Sequence, residues 1–102
     1  MQQITAQEFA ILKSRSTEIE LVDVREPFEH EQYNIGGKLI PLGELIMRAN
    51  ELAIDRPIVF YCEKGIRSQI AIQRLESLGF TQLFNLVGGM AGWRKYLATI
   101  EE

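Results

Sequence analysis

The sequence has 102 residues, of which 46% are apolar and 25% charged, and its formal net charge is -3. That length suits a single domain with one modest core, residues 1–102. The slight acidity gives no reason to expect nucleic-acid binding, and no apolar run approaches the ~20 residues of a membrane-spanning helix. Cys62 is the only cysteine, which excludes an intrachain disulfide and a multi-cysteine zinc site and suits a thiol working in a reducing compartment. The start Met1-Gln2-Gln3-Ile4-Thr5 lacks the basic and apolar stretches of a signal peptide, so the expected location is cytoplasmic.

Thr5-Ala6-Gln7-Glu8 matches a capping box, and Phe9, Ala10 and Leu12 supply an apolar face, predicting a first helix from Thr5 to Ser14. Ile19 to Val24 is rich in β-branched residues and reads as a buried strand with a polar end at Asp23 and Arg25. Glu26-Pro27-Phe28-Glu29-His30-Glu31 places proline where a first helical turn tolerates it, and Gly36-Gly37 breaks that pattern. Lys38 to Leu42 reads as a short strand or extended segment closed by Pro41, suited to a sheet edge or a strand end. The helical spacing of Leu42, Leu45, Ile46, Ala49 and Leu52 predicts a second full helix from Gly43 to Ala53. After the turn Asp55-Arg56-Pro57, Ile58 to Tyr61 is the apolar run of a central strand covered on both faces. The helix that follows is expected to turn Ile70, Ala71, Leu75 and Leu78 inward and to end at Gly79. Leu83 to Val87 is the last strand, Gly88-Gly89 reads as a flexible junction, and Met90 to Leu97 forms a terminal helix with Trp93 and Leu97 on its packed side. The Glu101-Glu102 tail is expected to fray. Alternating strands and helices imply an α/β fold, a central, mostly parallel sheet of four to five short strands with helices on both faces.

Chemistry concentrates in Cys62-Glu63-Lys64-Gly65-Ile66-Arg67-Ser68, between the central strand and its helix. A lone cysteine after an apolar strand is often a small buried hydrophobe. Here, however, a glycine-containing loop wraps it back to a helix N-terminus, where backbone N–H groups and the helix dipole favour negative charge. Such surroundings, with cations such as Lys64 and Arg67, bring cysteine pKa values to roughly 3.5–7.5, so a nucleophilic thiolate is expected. Arg67 sits where the dipole disfavours a cation, which suggests that it answers to a ligand. Lys64 reads equally well as a solvated side chain. Cysteine phosphatases share this layout but place five residues between Cys and Arg, making a ring wide enough for a phosphoryl group. Cys62 and Arg67 have four between them, and the smaller ring suits a single sulfur atom.

Cys62-x-x-Gly65-x-Arg67-Ser68 resembles the active-site loop of the rhodanese domain, a sulfurtransferase fold. Asp23-Val24-Arg25 with Phe28-Glu29 resembles that family's first motif, and Gly88-Gly89 with Trp93 its last, so the likeness runs through nearly the whole chain in order. One departure is Tyr33-Asn34-Ile35-Gly36-Gly37-Lys38, where the family usually carries Gly-His-Ile-x-Gly-Ala. The resemblance implies a rhodanese-like fold and a two-step transfer. Cys62 would take the sulfane sulfur of a small anionic donor such as thiosulfate as a persulfide, cradled by the N–H groups of Glu63, Lys64, Gly65, Ile66, Arg67 and Ser68. An external acceptor (cyanide, a small thiol or a protein cysteine) would then remove it. No cofactor or metal ion is implied, and no membrane or nucleic-acid partner. Asp23 and Arg25 are expected to form a structural ion pair supporting the loop, His30 to lie on the surface, and Trp93 to pack in the core. The alternative is a carrier or partner-binding module of the same fold.

Overall fold

Five strands, β1 (Gln2–Ile4), β2 (Glu20–Asp23), β3 (Lys38–Leu39), β4 (Ile58–Tyr61) and β5 (Leu83–Leu86), form one sheet in a computed structural model that describes residues 1–15 and 18–101. Their order is β1-β5-β4-β2-β3, and every pairing is parallel. All four residues of β4 are buried, as its wholly apolar sequence requires of a central strand. Strand alternation sends Ile58 and Phe60 to one face and Val59 and Tyr61 to the other. The first face packs against α3 (Ile66–Glu76) and the segment 42–52, through Leu45, Leu52, Ala71, Ile72 and Leu75. On the second face, Phe9 of α1 (Ala6–Arg15) and Met90 of α4 (Gly89–Ile100) cover the sheet. The short α2 (Pro27–Gln32) follows β2.

Several elements follow the sequence closely. Thr5 Oγ1 accepts the Glu8 N–H at 3.1 Å, and Glu8 Oε1 accepts the Thr5 N–H at 2.9 Å, which closes the capping box of α1. Gly79, at φ +97°, ends α3: its N–H reaches Glu76 O, and the Phe80 N–H reaches Leu75 O, the paired bonds of a Schellman motif. β3 lies at the sheet edge, as Pro41 suggested.

Other elements depart from it. The strand β1 has no signal in its sequence, because Gln2 and Gln3 are exposed and only Ile4 enters the core; it exists by pairing along β5. The helix predicted from Gly43 to Ala53 is instead two 3-10 turns, Leu42–Glu44 and Ala49–Glu51. Its amide bonds run mostly three residues back, as from Leu45 to Leu42 and from Leu52 to Ala49. Only Leu45 and Leu52 are held fully in the core, while Ile46 and Met47 face solvent. Two anchors and a glycine in the first turn do not sustain a continuous helix. In α3, Ile72 rather than Ile70 turns inward, and Leu78 is exposed. The buried stripe is Ser68, Ala71, Ile72 and Leu75, and a residue two places from Ser68 lies on the far side of a helix. Glu102 lies outside the described residues.

Candidate active site

Cys62 continues the alternation of Ile58 and Phe60, so its side chain points to the α3 face of the sheet, and the residue is 1% exposed. Three groups of its own loop converge on the sulfur. The Gly65 N–H donates to Sγ at 3.1 Å, the Ser68 N–H donates at 3.4 Å, and Ser68 Oγ lies 3.4 Å away. The turn depends on Gly65, which adopts φ +91° and packs against the Gly88 backbone. Carbonyls of the loop are drawn outward: Cys62 O accepts the Met90 N–H and Glu63 O accepts the Ala91 N–H, both at 2.9 Å. This close docking requires Gly89, because a Cβ there would stand 2.3 Å from Cys62 O. Gly88-Gly89 is therefore a packed junction that orients the loop, not the flexible one expected.

Beneath the sulfur runs a buried polar chain. Ser68 Oγ donates a short hydrogen bond to Asn85 Oδ1, and Asn85 Nδ2 donates to Gln3 Oε1 at 2.9 Å. With its one hydrogen committed to Asn85, the Ser68 hydroxyl presents a lone pair to Cys62, a partner for a thiol S–H.

A cleft lined by Glu29, Cys62, Glu63, Lys64, Ile66 and Arg67 opens over the loop. A larger depression beside α1, lined by Phe9, Lys13 and Ile35 among others, contains no cysteine, so the cleft at Cys62 is not the largest one. Arg67, expected to answer to a ligand, is engaged by protein: its Nη1 and Nη2 donate to the two Glu29 carboxylate oxygens at 2.7 and 2.8 Å. The guanidinium lowers the Glu29 carboxyl to about 2, and Glu29 in turn raises Arg67 above its ordinary range. Lys64 is exposed at the rim, and among the described residues no carboxylate pairs with it.

Asp23 and Arg25 form the expected ion pair at the end of β2. Arg25 Nε and Nη2 donate to Asp23 at 3.0 and 2.9 Å, with both residues buried. Burial opposes the charge of Arg25, but the Asp23 carboxylate outweighs it and holds the guanidinium above its ordinary pKa. Arg25 Nη1 also lies 3.8 Å from Glu63 Oε1, and Glu63 Oε2 accepts from Arg94 Nη2, so Glu63 ties the loop both to the end of β2 and to α4. His30 is not the free surface residue expected. Its Nδ1 sits 2.9 Å from Asp23 Oδ2, and since a carboxylate only accepts, Nδ1 carries the hydrogen. The atypical segment after it is anchored without a histidine of its own: Asn34 Nδ2 donates to His30 O, Asn34 Oδ1 accepts the Gly36 N–H, and Tyr33 O accepts from Arg25 Nη2.

The sequence profile of the rhodanese-like domain matches residues 5–96. The chain belongs to the rhodanese-like domain family. It is 41% identical over 76 residues to the putative sulfur carrier protein YrkF of Bacillus subtilis, covering 74% of this chain and 41% of that one. A sulfurtransferase of Allochromatium vinosum is 36% identical over 77 residues, covering 74% of this chain and 72% of its own. Among solved structures, a rhodanese-like domain protein from Staphylococcus aureus superimposes with a TM-score of 0.84 at 30% identity, over 91% of both chains. The parallel sheet between helical layers is thus the architecture of the family.

This rhodanese-like domain brings together Cys62, Glu63, Lys64, Ile66 and Arg67 around one cleft, with Gly65 and Ser68 behind the sulfur and Asp23 and Arg25 bracing the loop. Trp93 stays out of the cleft and packs edge-on against Phe9, ring centroids 5.8 Å apart. Glu29, Asn85 and Arg94 escaped the sequence reading as site residues. Glu29 stands 38 residues before Arg67, and Asn85 lies 17 after Ser68, so no local spacing links them.

Proposed function

We propose that this rhodanese-like domain is a sulfurtransferase that moves a sulfane sulfur from an anionic donor, such as thiosulfate, through a persulfide on Cys62 to a thiophilic acceptor. The observation that carries this reading is the convergence of the Gly65 and Ser68 N–H groups on Cys62 Sγ at the floor of a charged cleft. In the first step the Cys62 thiolate attacks the outer sulfur of the donor. The donor S–S bond breaks, and its electron pair departs with sulfite. The sulfur now on Cys62 carries the negative charge, and N–H groups of residues 63–68 stabilise it as an oxyanion hole stabilises oxygen. An acceptor nucleophile then attacks that outer sulfur, and the pair of the broken S–S bond returns to Cys62. Splitting the transfer through a covalent intermediate replaces one hard step by two easier ones. Asp23, Arg25 and Glu63 hold the loop in place rather than take part in the chemistry. With no second cysteine in the sequence, the acceptor comes from outside as cyanide, a small thiol or a protein cysteine. A lone working thiol of this kind suits a reducing compartment such as the cytoplasm.

The test is to incubate the protein with thiosulfate, record its intact mass, then add cyanide and assay thiocyanate. One added sulfur atom that Cys62→Ser does not acquire, followed by thiocyanate release, is the expected result. No adduct from thiosulfate or from an organic thiosulfonate, or an adduct on Cys62→Ser, sinks the reading. A second reading, as a sulfur carrier serving a dedicated protein acceptor, draws support from the likeness to YrkF. It is favoured if the adduct forms but neither cyanide nor small thiols discharge it.

A further inference from the structure

Four charged side chains line the cleft over Cys62, and they cancel: Glu29 and Glu63 against Lys64 and Arg67. The cancellation is built in rather than incidental. Both terminal nitrogens of Arg67 are committed to Glu29 at 2.7 and 2.8 Å, and Glu63 is held by Arg94 and Arg25. Glu29 is itself fixed at the N-terminus of α2, where its Oε1 also accepts the Glu26 N–H at 3.0 Å. Lys64 alone is left to meet an incoming anion. One wall is apolar: Ile66 lines the cleft while 66% exposed, a surface that thiosulfate, being all oxygen and sulfur, cannot use.

We infer that Glu29 is a specificity-determining residue that spends the charge of Arg67 inside the protein, so that the cleft favours a singly charged organic sulfane donor over the dianion thiosulfate. The donor class is an alkyl or aryl group bearing a sulfane sulfur, such as an organic thiosulfonate or persulfide. For a thiosulfonate, the Cys62 thiolate bonds to the outer sulfur, the S–S bond breaks, and the sulfinate leaves with the electron pair. For a persulfide anion R–S–S⁻, the Cys62 thiolate bonds to the outer sulfur, the S–S bond breaks, and the thiolate RS⁻ leaves with the electron pair. The inference rests on the sulfur-transfer reading above.

Methanethiosulfonate and thiosulfate make the test, because they share a sulfonyl–sulfur skeleton and differ by one charge and one methyl group. The quantity read is the ratio of kcat/KM for thiosulfate to that for methanethiosulfonate, which cancels effects of a substitution common to both donors. Glu29→Gln keeps an acceptor for the Glu26 N–H and restores the charge of Arg67; it is expected to raise the ratio about tenfold, the effect of one added unit charge a few ångströms from the donor. Lys64→Gln, at an exposed position, is expected to lower it by a similar factor. Ratios that stay within about twofold of wild type in both variants overturn the inference and leave sulfur transfer standing. If wild-type Cys62 takes sulfur from neither donor, the sulfur-transfer reading falls and the inference with it.

Discussion

Glu29 shows how one carboxylate shapes both stability and chemistry. Its titration in the folded protein lies near 2, depressed from an ordinary 4.5 mainly by hydrogen bonds from Arg67. A depressed carboxylate stabilises the fold above its unfolded value and loses that contribution as the pH falls through the folded one. The Glu29–Arg67 pair should therefore be at full strength above pH about 4.5 and fade toward pH about 2. Arg67 is 35% exposed on its side chain, and solvent screening reduces the effect to on the order of 1 kcal/mol. Denaturant titrations of wild type and Glu29→Gln should show a stability gap of that size near neutrality that closes on acidification. A gap independent of pH would mean that the ion pair is not its source. At the same scale, the loop around Cys62 was legible in the sequence, because Cys62, Gly65 and Ser68 lie within one short stretch and their contacts are local. The partner of Arg67 was not. The helix dipole suggested that Arg67 answers to a ligand, whereas its partner in the fold is the Glu29 carboxylate, which sequence spacing could not identify.

Among elements, the junction between β5 and α4 governs the loop. It places the α4 N–H groups of Met90 and Ala91 on the carbonyls of Cys62 and Glu63, leaving the amides of Gly65 and Ser68 free to face the sulfur. A methyl group on Gly89 would lie within 2.8 Å of Glu63 O and closer still to Cys62 O, at a φ of +56°. Gly89→Ala should therefore cost about 2–4 kcal/mol and slow sulfur loading of Cys62 at least tenfold, through displacement of the loop. Gly43→Ala is the control, since a Cβ at that position meets nothing within 4 Å and its stability should stay within about 0.5 kcal/mol of wild type. Chemical denaturation and the rate of mass gain with thiosulfate measure the two effects. Elements with a strong local pattern, β4 and α1 among them, appear where the sequence placed them. The segment 42–52 does not, because its apolar spacing fits a helix while the sheet recruits only Leu45 and Leu52 fully. Packing decided there against periodicity.

For the whole molecule, charge is the informative property. The net charge of -3 is spread over a chain whose cleft at Cys62 pairs two carboxylates with two cations, so a dianion is expected to meet weak overall repulsion rather than long-range steering. Raising the ionic strength should screen that repulsion. The second-order rate of Cys62 loading by thiosulfate is expected to rise with salt, by less than about threefold between low and moderate ionic strength. A rate that falls steeply with salt would reveal a cationic cleft and contradict the pairing of Arg67 with Glu29. Among the described residues no helix is long and apolar enough to cross a membrane, and none of their acidic, histidine and cysteine side chains cluster in a way that could hold a metal ion.

What the sequence by itself determined was the alternation of strands and helices, the central strand that leads into Cys62, and a loop with four residues between Cys62 and Arg67. Each of these is written in contiguous residues, where apolar runs, glycine positions and a four-residue spacing act through local backbone geometry. Only the tertiary structure decided that Gln2–Ile4 pairs as a fifth strand, that His30 joins Asp23, that Asn85 lies beneath Ser68, and that Glu29 takes up the charge of Arg67. Edge pairing and charge pairing depend on which segments meet across the sheet, and no local pattern carries that distance.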